Sequence, residues 1–206
     1  MSVFANIEKI SGEREPGPSP SFSSAHVLLA FVTIGDAGMI GRQSLAEKVG
    51  LGGGSVRTVV NKLRDEGLIR VIASGCSLTP KGKDSYEKVA TKMSGVLQLD
   101  SSQLTVGAKQ SAVAVRQAAS KVRRGIEQRD SAIRVGASGA TTYVIRGTKF
   151  AIPGGSSDCE REFPGPAWTK LREVLEPDDG DAVVVSGAES SVRSTLGAVS
   201  AALTLV

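Results

Sequence analysis

The spacing of Val56, Val59, Val60 and Leu63 constrains this chain more than any other feature of its sequence. The i, i+3, i+4, i+7 pattern predicts a helix from about Gly53 to Glu66 with one buried stripe. At about 100° per residue, Arg57, Thr58, Asn61, Lys62 and Asp65 fall on the opposite side. Such a helix has to be held by other elements along one flank while its basic, polar flank stays open. Its ends are marked. Gly50-Leu51-Gly52-Gly53-Gly54 reads as a tight turn with Leu51 as an apolar plug, and Gly67 stops the helix.

The elements around this helix follow from similar signals. Ser23 and Ser24 are capping residues for a helix from about Ala25, which Gly35 is expected to end. Met39 and Ile40 read as a short extended piece, and a second helix runs from about Arg42 to Val49, with Gly50 as its stop. After the stripe helix, the β-branched run Leu68 to Ala73 is turned by Ser74-Gly75 into Cys76 to Thr79, a two-stranded hairpin. Pro80-Lys81-Gly82 closes the hairpin, and Lys83 to Met93 reads as a helix leading out. Upstream, residues 1–22 read as an arm or linker: Val3, Phe4, Ile7 and Ile10 form a short apolar pattern, and Pro16, Pro18 and Pro20 argue against helix over Ser11 to Ser21.

Three segments in this order, Ser44 to Leu51, Ser55 to Ile69 and Leu78 to Gly82, resemble the winged helix-turn-helix transcriptional regulators of bacteria and archaea. The likeness covers about sixty residues and implies double-stranded DNA as partner. A helix fits the major groove, where each base pair shows a distinct donor and acceptor pattern. On that reading Arg57 forks onto guanine, Asn61 pairs with adenine, and Thr58 meets a thymine methyl or a phosphate. Lys62, Arg64, Arg42 and Gln43 are candidates for phosphates, and Ser55 adds a hydroxyl where the glycine-rich helix start offers free N–H groups to an anion. The hairpin tip, Ser74-Gly75, carries no basic residue, unlike regulators whose wing enters the minor groove. Arg70, Lys81 and Lys83 are the substitutes there.

Charge agrees with this placement. The net charge of +4 is modest, but residues 42–83 hold eight Lys or Arg against three acidic residues, and residues 109–149 nine against two. Residues 158–189 reverse the balance, with nine acidic against three basic. Basic clustering over a helix-turn-helix pattern is the electrostatic footprint of phosphate binding.

Other function classes find little support. The longest mostly apolar run, Ala25 to Ile34, is far short of the roughly 20 residues of a membrane span, and no signal peptide is evident, so a cytoplasmic protein without membrane partners is expected. Cys76 and Cys159 are far apart and His26 is the one histidine, so neither a metal site nor a cofactor is expected. Gly50 to Gly54 lacks the Gly-Lys-Ser/Thr of a phosphate-binding loop, and Asp178-Asp179-Gly180-Asp181 lacks calcium-loop spacing.

Residues 94–206 read as mixed α/β. Strands are expected at 96–99, 112–116, 141–145, 149–152 and 182–186, and helices at 123–135, 168–175 and 191–203. Gly125 to Ile133, Gly139 to Thr142 and Leu196 to Leu205 are similar to an archaeal two-domain family in which a winged helix precedes an uncharacterised α/β domain. That resemblance implies regulation without naming an effector. Glu127, Arg129, Asp130, Thr141 and Thr142 are the candidates for a small-molecule site in a cleft.

The sequence therefore predicts an α+β protein: an arm over 1–22, a winged helix-turn-helix domain over 23–93 and an α/β domain over 94–206. The expected function is DNA-binding transcriptional regulation as a homodimer, with the second domain sensing a small-molecule effector, dimerising, or both, and without enzymatic activity. The alternatives are an enzyme or small-molecule-binding domain in residues 94–206 with the winged helix as accessory, and a winged helix that serves as a protein-interaction module.

Overall fold

The computed structural model of the chain describes residues 3–12 and 21–206. The chain forms two compact units, one ending at Ala90 and the other beginning at Thr91. The class is α+β: a mainly helical unit with a two-stranded hairpin, followed by a five-stranded sheet with helices. No helix among the described residues is long and apolar enough to cross a membrane.

The first unit opens with a correction to the expected arm. Val3–Ser11 is a helix, α1, because Val3, Ile7 and Ile10 share one face and bury it against α2 (Ser24–Ala37) and the helices that follow. Pro16, Pro18 and Pro20 lie outside the described residues. Ser23 caps α2, with the His26 Nδ1 accepting the Ser23 N–H at 3.1 Å, so the single histidine has a structural task.

Helix α2 also runs past Gly35, its expected stop, to Gly38, which takes φ +68°. Gly35 lies inside the helix, and the Tyr86 ring packs against it in the space that a Cβ would take. The Tyr86 hydroxyl donates to the Asp36 carboxylate. That hydrogen bond, then burial, pushes the phenol up to about 12.

Helix α3 (Arg42–Val49), helix α4 (Gly53–Asp65), strands β1 (Ile69–Ile72) and β2 (Gly75–Leu78), and helix α5 (Pro80–Ala90) complete the unit. Ile40 bridges to Cys76, adding a third chain to the antiparallel hairpin. Pro80, expected to close the hairpin, instead begins α5: the Thr79 Oγ1 accepts the Gly82 N–H at 3.0 Å, and proline suits the first helical position, where no N–H is required. Gly82 lies so close to the preceding chain that a Cβ would stand 1.9 Å from the Leu68 carbonyl oxygen.

The second unit holds β3 (Leu97–Leu99), β4 (Lys109–Val115), α6 (Ile126–Arg134), β5 (Gly139–Arg146), β6 (Lys149–Ala151), the short α7 (Cys159–Glu162), α8 (Pro166–Leu175), β7 (Ala182–Ala188) and α9 (Ser191–Leu203). The strands lie in the order β3-β4-β7-β5-β6, every ladder antiparallel. Alternation sends Ala112, Ala114, Tyr143, Ile145, Val183 and Val185 into a core with Trp168, Leu171 and Leu175 of α8. The opposite sheet face is covered by α6 and α9, where Ser111 meets Ser194 at 2.7 Å. Covered on both faces, β7 is buried at every residue, which accounts for its apolar run Ala182–Val185. Tyr143, Phe150 and Trp168 pack edge-on or tilted, with centroids 5.0–6.2 Å apart. Each such pair adds about 0.5–1.5 kcal/mol beyond its buried area.

One buried charge ties the sheet together. Asp181, 1% exposed, accepts from Arg116 Nη1 at 2.8 Å, the Gln117 N–H at 2.9 Å and the Asp178 N–H at 3.0 Å. Burial alone would raise this carboxyl; the three donors outweigh it and hold it below the usual carboxylate range. A depressed carboxylate stabilises the fold above its unfolded pKa of about 4, and that contribution disappears as pH falls through the lower folded value. Acid unfolding followed by circular dichroism should therefore begin at higher pH in Asp181→Ala, which should also lose about 1–3 kcal/mol at neutral pH. In the first unit, Gly82→Ala should lower stability by about 1–3 kcal/mol in urea unfolding.

Candidate nucleic-acid interface

The exposed flank of α4 is created by its seating. Val56, Val59, Val60 and Leu63 are each 2% exposed or less, and α4 packs against α1, α2, α3 and β1. Two polar rows remain outside, spaced at i+3 and i+4: Arg57, Asn61 and Arg64, and beside them Thr58, Lys62 and Asp65. Arg57 and Thr58 are exposed, while Asn61 and Lys62 are half-buried. Among the described residues no ion pair engages Arg57 or Lys62.

The two ends of α4 differ. At its C-terminus, Lys81 Nζ donates to the Glu66 carbonyl at 2.6 Å, satisfying one carbonyl that the helix leaves without a partner, and Lys9 pairs with the Glu66 carboxylate at 3.0 Å. At its N-terminus, Gly52 is the cap residue, and no side chain among the described residues caps it with a hydrogen bond. A Cβ on Gly52, Gly53 or Gly54 would meet nothing within 4 Å, and none of the three has positive φ. Neither packing nor backbone conformation requires glycine here.

A concavity of about 620 Å³ lies between α3 and α4, lined by Arg42, Gln43, Glu47, Leu51, Gly53 and Val56 among others. Arg42 and Gln43 are exposed in the first turn of α3, and Gln43 Nε2 reaches Glu47 at 3.4 Å. Arg42 also lies close enough to lower the Cys76 thiol slightly, although burial dominates and pushes it up.

The remaining sequence candidates are engaged within the unit. The Ser55 hydroxyl bonds that of Ser21 at 2.8 Å, and Thr58 Oγ1 donates to the Gly54 carbonyl at 3.2 Å. Arg64 pairs with Asp65 at 3.0 Å, an exposed pair worth little. Arg70 Nε donates to Ser77 Oγ at 2.9 Å across the hairpin. Sequence reading did not single out Met39, Val71 and Ile72, which leave apolar surface exposed near the hairpin. The β-branched run disclosed the strand but not that only Ile69 of β1 is buried.

In the second unit the five small-molecule candidates separate. Arg129 and Thr141 line one cavity. Asp130 lies outside that lining and pairs with Arg129 at 3.1 Å, and Glu127 is exposed. Thr142 points to the α6 face and is buried, its Oγ1 without a hydrogen-bond partner. Gln128, absent from the candidates, is buried with Nε2 on Thr204 Oγ1 at 2.7 Å and Oε1 unpartnered. No group of three or more His, Cys, Asp or Glu that could hold a metal occurs among the described residues.

Comparison with known proteins divides the chain similarly. Residues 28–93 match the CggR N-terminal DNA binding domain, and residues 106–205 match DUF4443, a domain of unknown function. A search of curated proteins returns no match. Among solved structures, a hypothetical protein from Pyrococcus horikoshii OT3 is similar with a TM-score of 0.74 and 26% identity, over 90% of this chain and 93% of that one. Residues 28–93 are thus similar to a DNA-binding domain of the CggR N-terminal type and residues 106–205 to an uncharacterised domain, an arrangement consistent with a two-domain winged-helix family.

The open glycine start generates a stability prediction. Gly53→Ala and Gly54→Ala should each be neutral or stabilising by up to about 1 kcal/mol in thermal unfolding, because glycine is the poorer helix former and the added methyl meets open space.

Proposed function

We propose that this chain is a sequence-specific, double-stranded DNA-binding transcriptional regulator. On this reading α4 enters the major groove and residues 91–206 modulate or assemble the DNA-binding unit. One observation carries it: the segment matching a DNA-binding domain presents the exposed Arg57–Thr58 flank, with Asn61 and Lys62 in the same rows and without an ion pair on Arg57 or Lys62 among the described residues. Arg57 and Asn61 are assigned to base edges, guanine and adenine respectively. Lys62 and Arg42 are assigned to phosphates.

The bare N-terminus of α4 fits the same function. Its N–H groups and the positive end of the helix dipole favour a phosphate, and three glycines let backbone come closer than a side chain would allow. The chain is read as a homodimer, so that paired helices meet half-sites about 34 Å apart. The second domain is read as a binding and regulatory domain rather than a catalyst.

Selection from a random duplex library with the full-length protein should yield an enriched motif, with inverted half-sites about one helical turn apart if the dimer is correct. Arg57→Ala and Asn61→Ala should each cost about 1–3 kcal/mol on that motif and relax one base position. Lys62→Ala should weaken all sequences alike and reduce the slope of log affinity against log salt by about 0.9. No enrichment, or weak binding insensitive to salt, would instead mark the helix as a protein-interaction surface.

A further inference from the structure

The second unit contains a cavity that its own side chains leave unfilled. It measures about 480 Å³ and adjoins another of about 370 Å³, the two sharing Gln103, Leu104, Phe163 and Trp168. Tyr143 and Trp168 belong to its lining, with Ile152 and Cys159 beside them. The polar atoms of the two rings already have partners: Tyr143 Oη donates to the Leu104 carbonyl at 2.7 Å, and Trp168 Nε1 to the Phe163 carbonyl at 2.8 Å. A ligand lying over them needs no hydrogen-bonding group there. Val106 and Phe163, also in the lining, are 61% and 50% exposed, so an apolar body placed between them would remove surface the fold leaves in water.

The polar part of the cavity has one sign. Arg129, Ser138 and Thr141 contribute to its lining. Arg129 gives Nε and Nη2 to the Asp130 carboxylate, which leaves three of its five N–H donors for another acceptor. The exposed Asp130 pair is weak and open to competition. A strand edge adds main-chain donors. Strand β6 pairs only with Val144–Arg146 of β5, so the outer edge of Gly139–Tyr143 has no ladder partner among the described residues. Ile145 donates to Asp181 across the β5–β7 register, and the antiparallel alternation therefore turns Ala140 and Thr142 N–H outward. In the adjoining cavity Lys170 is paired at 3.0 Å with Asp100, which lines that same cavity, whereas Asp130 lies outside the lining to which Arg129 belongs, so Arg129 is the charge that this cavity's own lining does not offset.

We propose that this cavity is a binding site for a small amphipathic carboxylate, with its aryl or alkyl body over Tyr143, Trp168 and Phe163 and its carboxylate on Arg129. The site stands whether or not the chain binds DNA.

Trp168 is the only tryptophan in the chain, so its emission reports on the cavity directly. The full-length protein titrated with 4-phenylbutyrate should show a saturable change in tryptophan fluorescence and a rise in melting temperature. The neutral 4-phenylbutyramide should bind about tenfold more weakly, because it forgoes the charge-assisted bonds to the guanidinium. Arg129→Met, at an exposed position, should bring the acid to the level of the amide. Phe163→Ser, also exposed, should weaken both ligands. The site is refuted if 4-phenylbutyrate gives no saturable change up to its solubility limit, if acid and amide titrate alike, or if Arg129→Met leaves the difference between them intact.

Discussion

The burial of four side chains, Val56, Val59, Val60 and Leu63, underlies everything else in the first unit. Full burial of such residues is worth about 1.5–3 kcal/mol each before conformational entropy is subtracted. That is enough to fix the rotation of a thirteen-residue helix about its own axis. Once the rotation is fixed, the direction of Arg57, Thr58, Asn61 and Lys62 follows from helical geometry alone. The C-terminal end of α4 is met by Lys9 and Lys81 at Glu66, whereas no side chain among the described residues caps its N-terminal end with a hydrogen bond.

How much of this was legible in the sequence depends on whether the signal was local. Arg42–Val49 and Ser191–Leu203 are recovered at their expected bounds, and the strands of the second unit lie within a few residues of expectation, because caps, stops and apolar periods are written in neighbouring residues. The failures share the opposite cause. Gly35 is followed by Asp36, but the ring packed against the one and the hydroxyl bonded to the other belong to Tyr86, fifty positions after Asp36. The nine residues of α1 were legible as an apolar pattern suited to packing, but that Val3, Ile7 and Ile10 form a helix depends on the surface supplied by α2, α4 and α5. Thr79-Pro80 reads equally well as the end of a hairpin or the start of a helix, and a single cap bond to Gly82 decides it.

The second unit illustrates the same limit at the level of topology. Ala182–Ala188 reads plainly as a strand, yet nothing in its residues says that the last strand in sequence lies at the centre of the sheet, between β4 and β5. That placement joins Arg116, Asp181 and the Gln117 N–H into one buried network. It also separates the polar residues clustered around Gln128: Arg129 and Thr141 go to one cavity, while Thr142 turns toward the helical face. Proximity in sequence on a helix start and a strand start was a sound reason to group them. Alternation along β5 is what divides them, since Thr141 and Thr142 face opposite sides of the sheet.

Charge counting has to be read through the same geometry. Residues 109–149 are rich in lysine and arginine, but part of that charge is committed inside the unit: Arg116 to Asp181, Lys121 to the Leu205 carbonyl and Lys149 to Asp158. A basic stretch of this kind neutralises its own neighbours before it attracts a polyanion. On α4 the charge is smaller in number but differently placed. Arg57 and Lys62 have no ion-pair partner among the described residues, and each stands about one helical turn from a polar neighbour, Arg57 from Asn61 and Lys62 from Thr58. The longer segment also leaves Lys109, Arg123, Arg124, Arg134 and Arg146 exposed and without an ion pair among the described residues, so unpaired charge alone does not single out α4; the shape of a helix that fits a groove does.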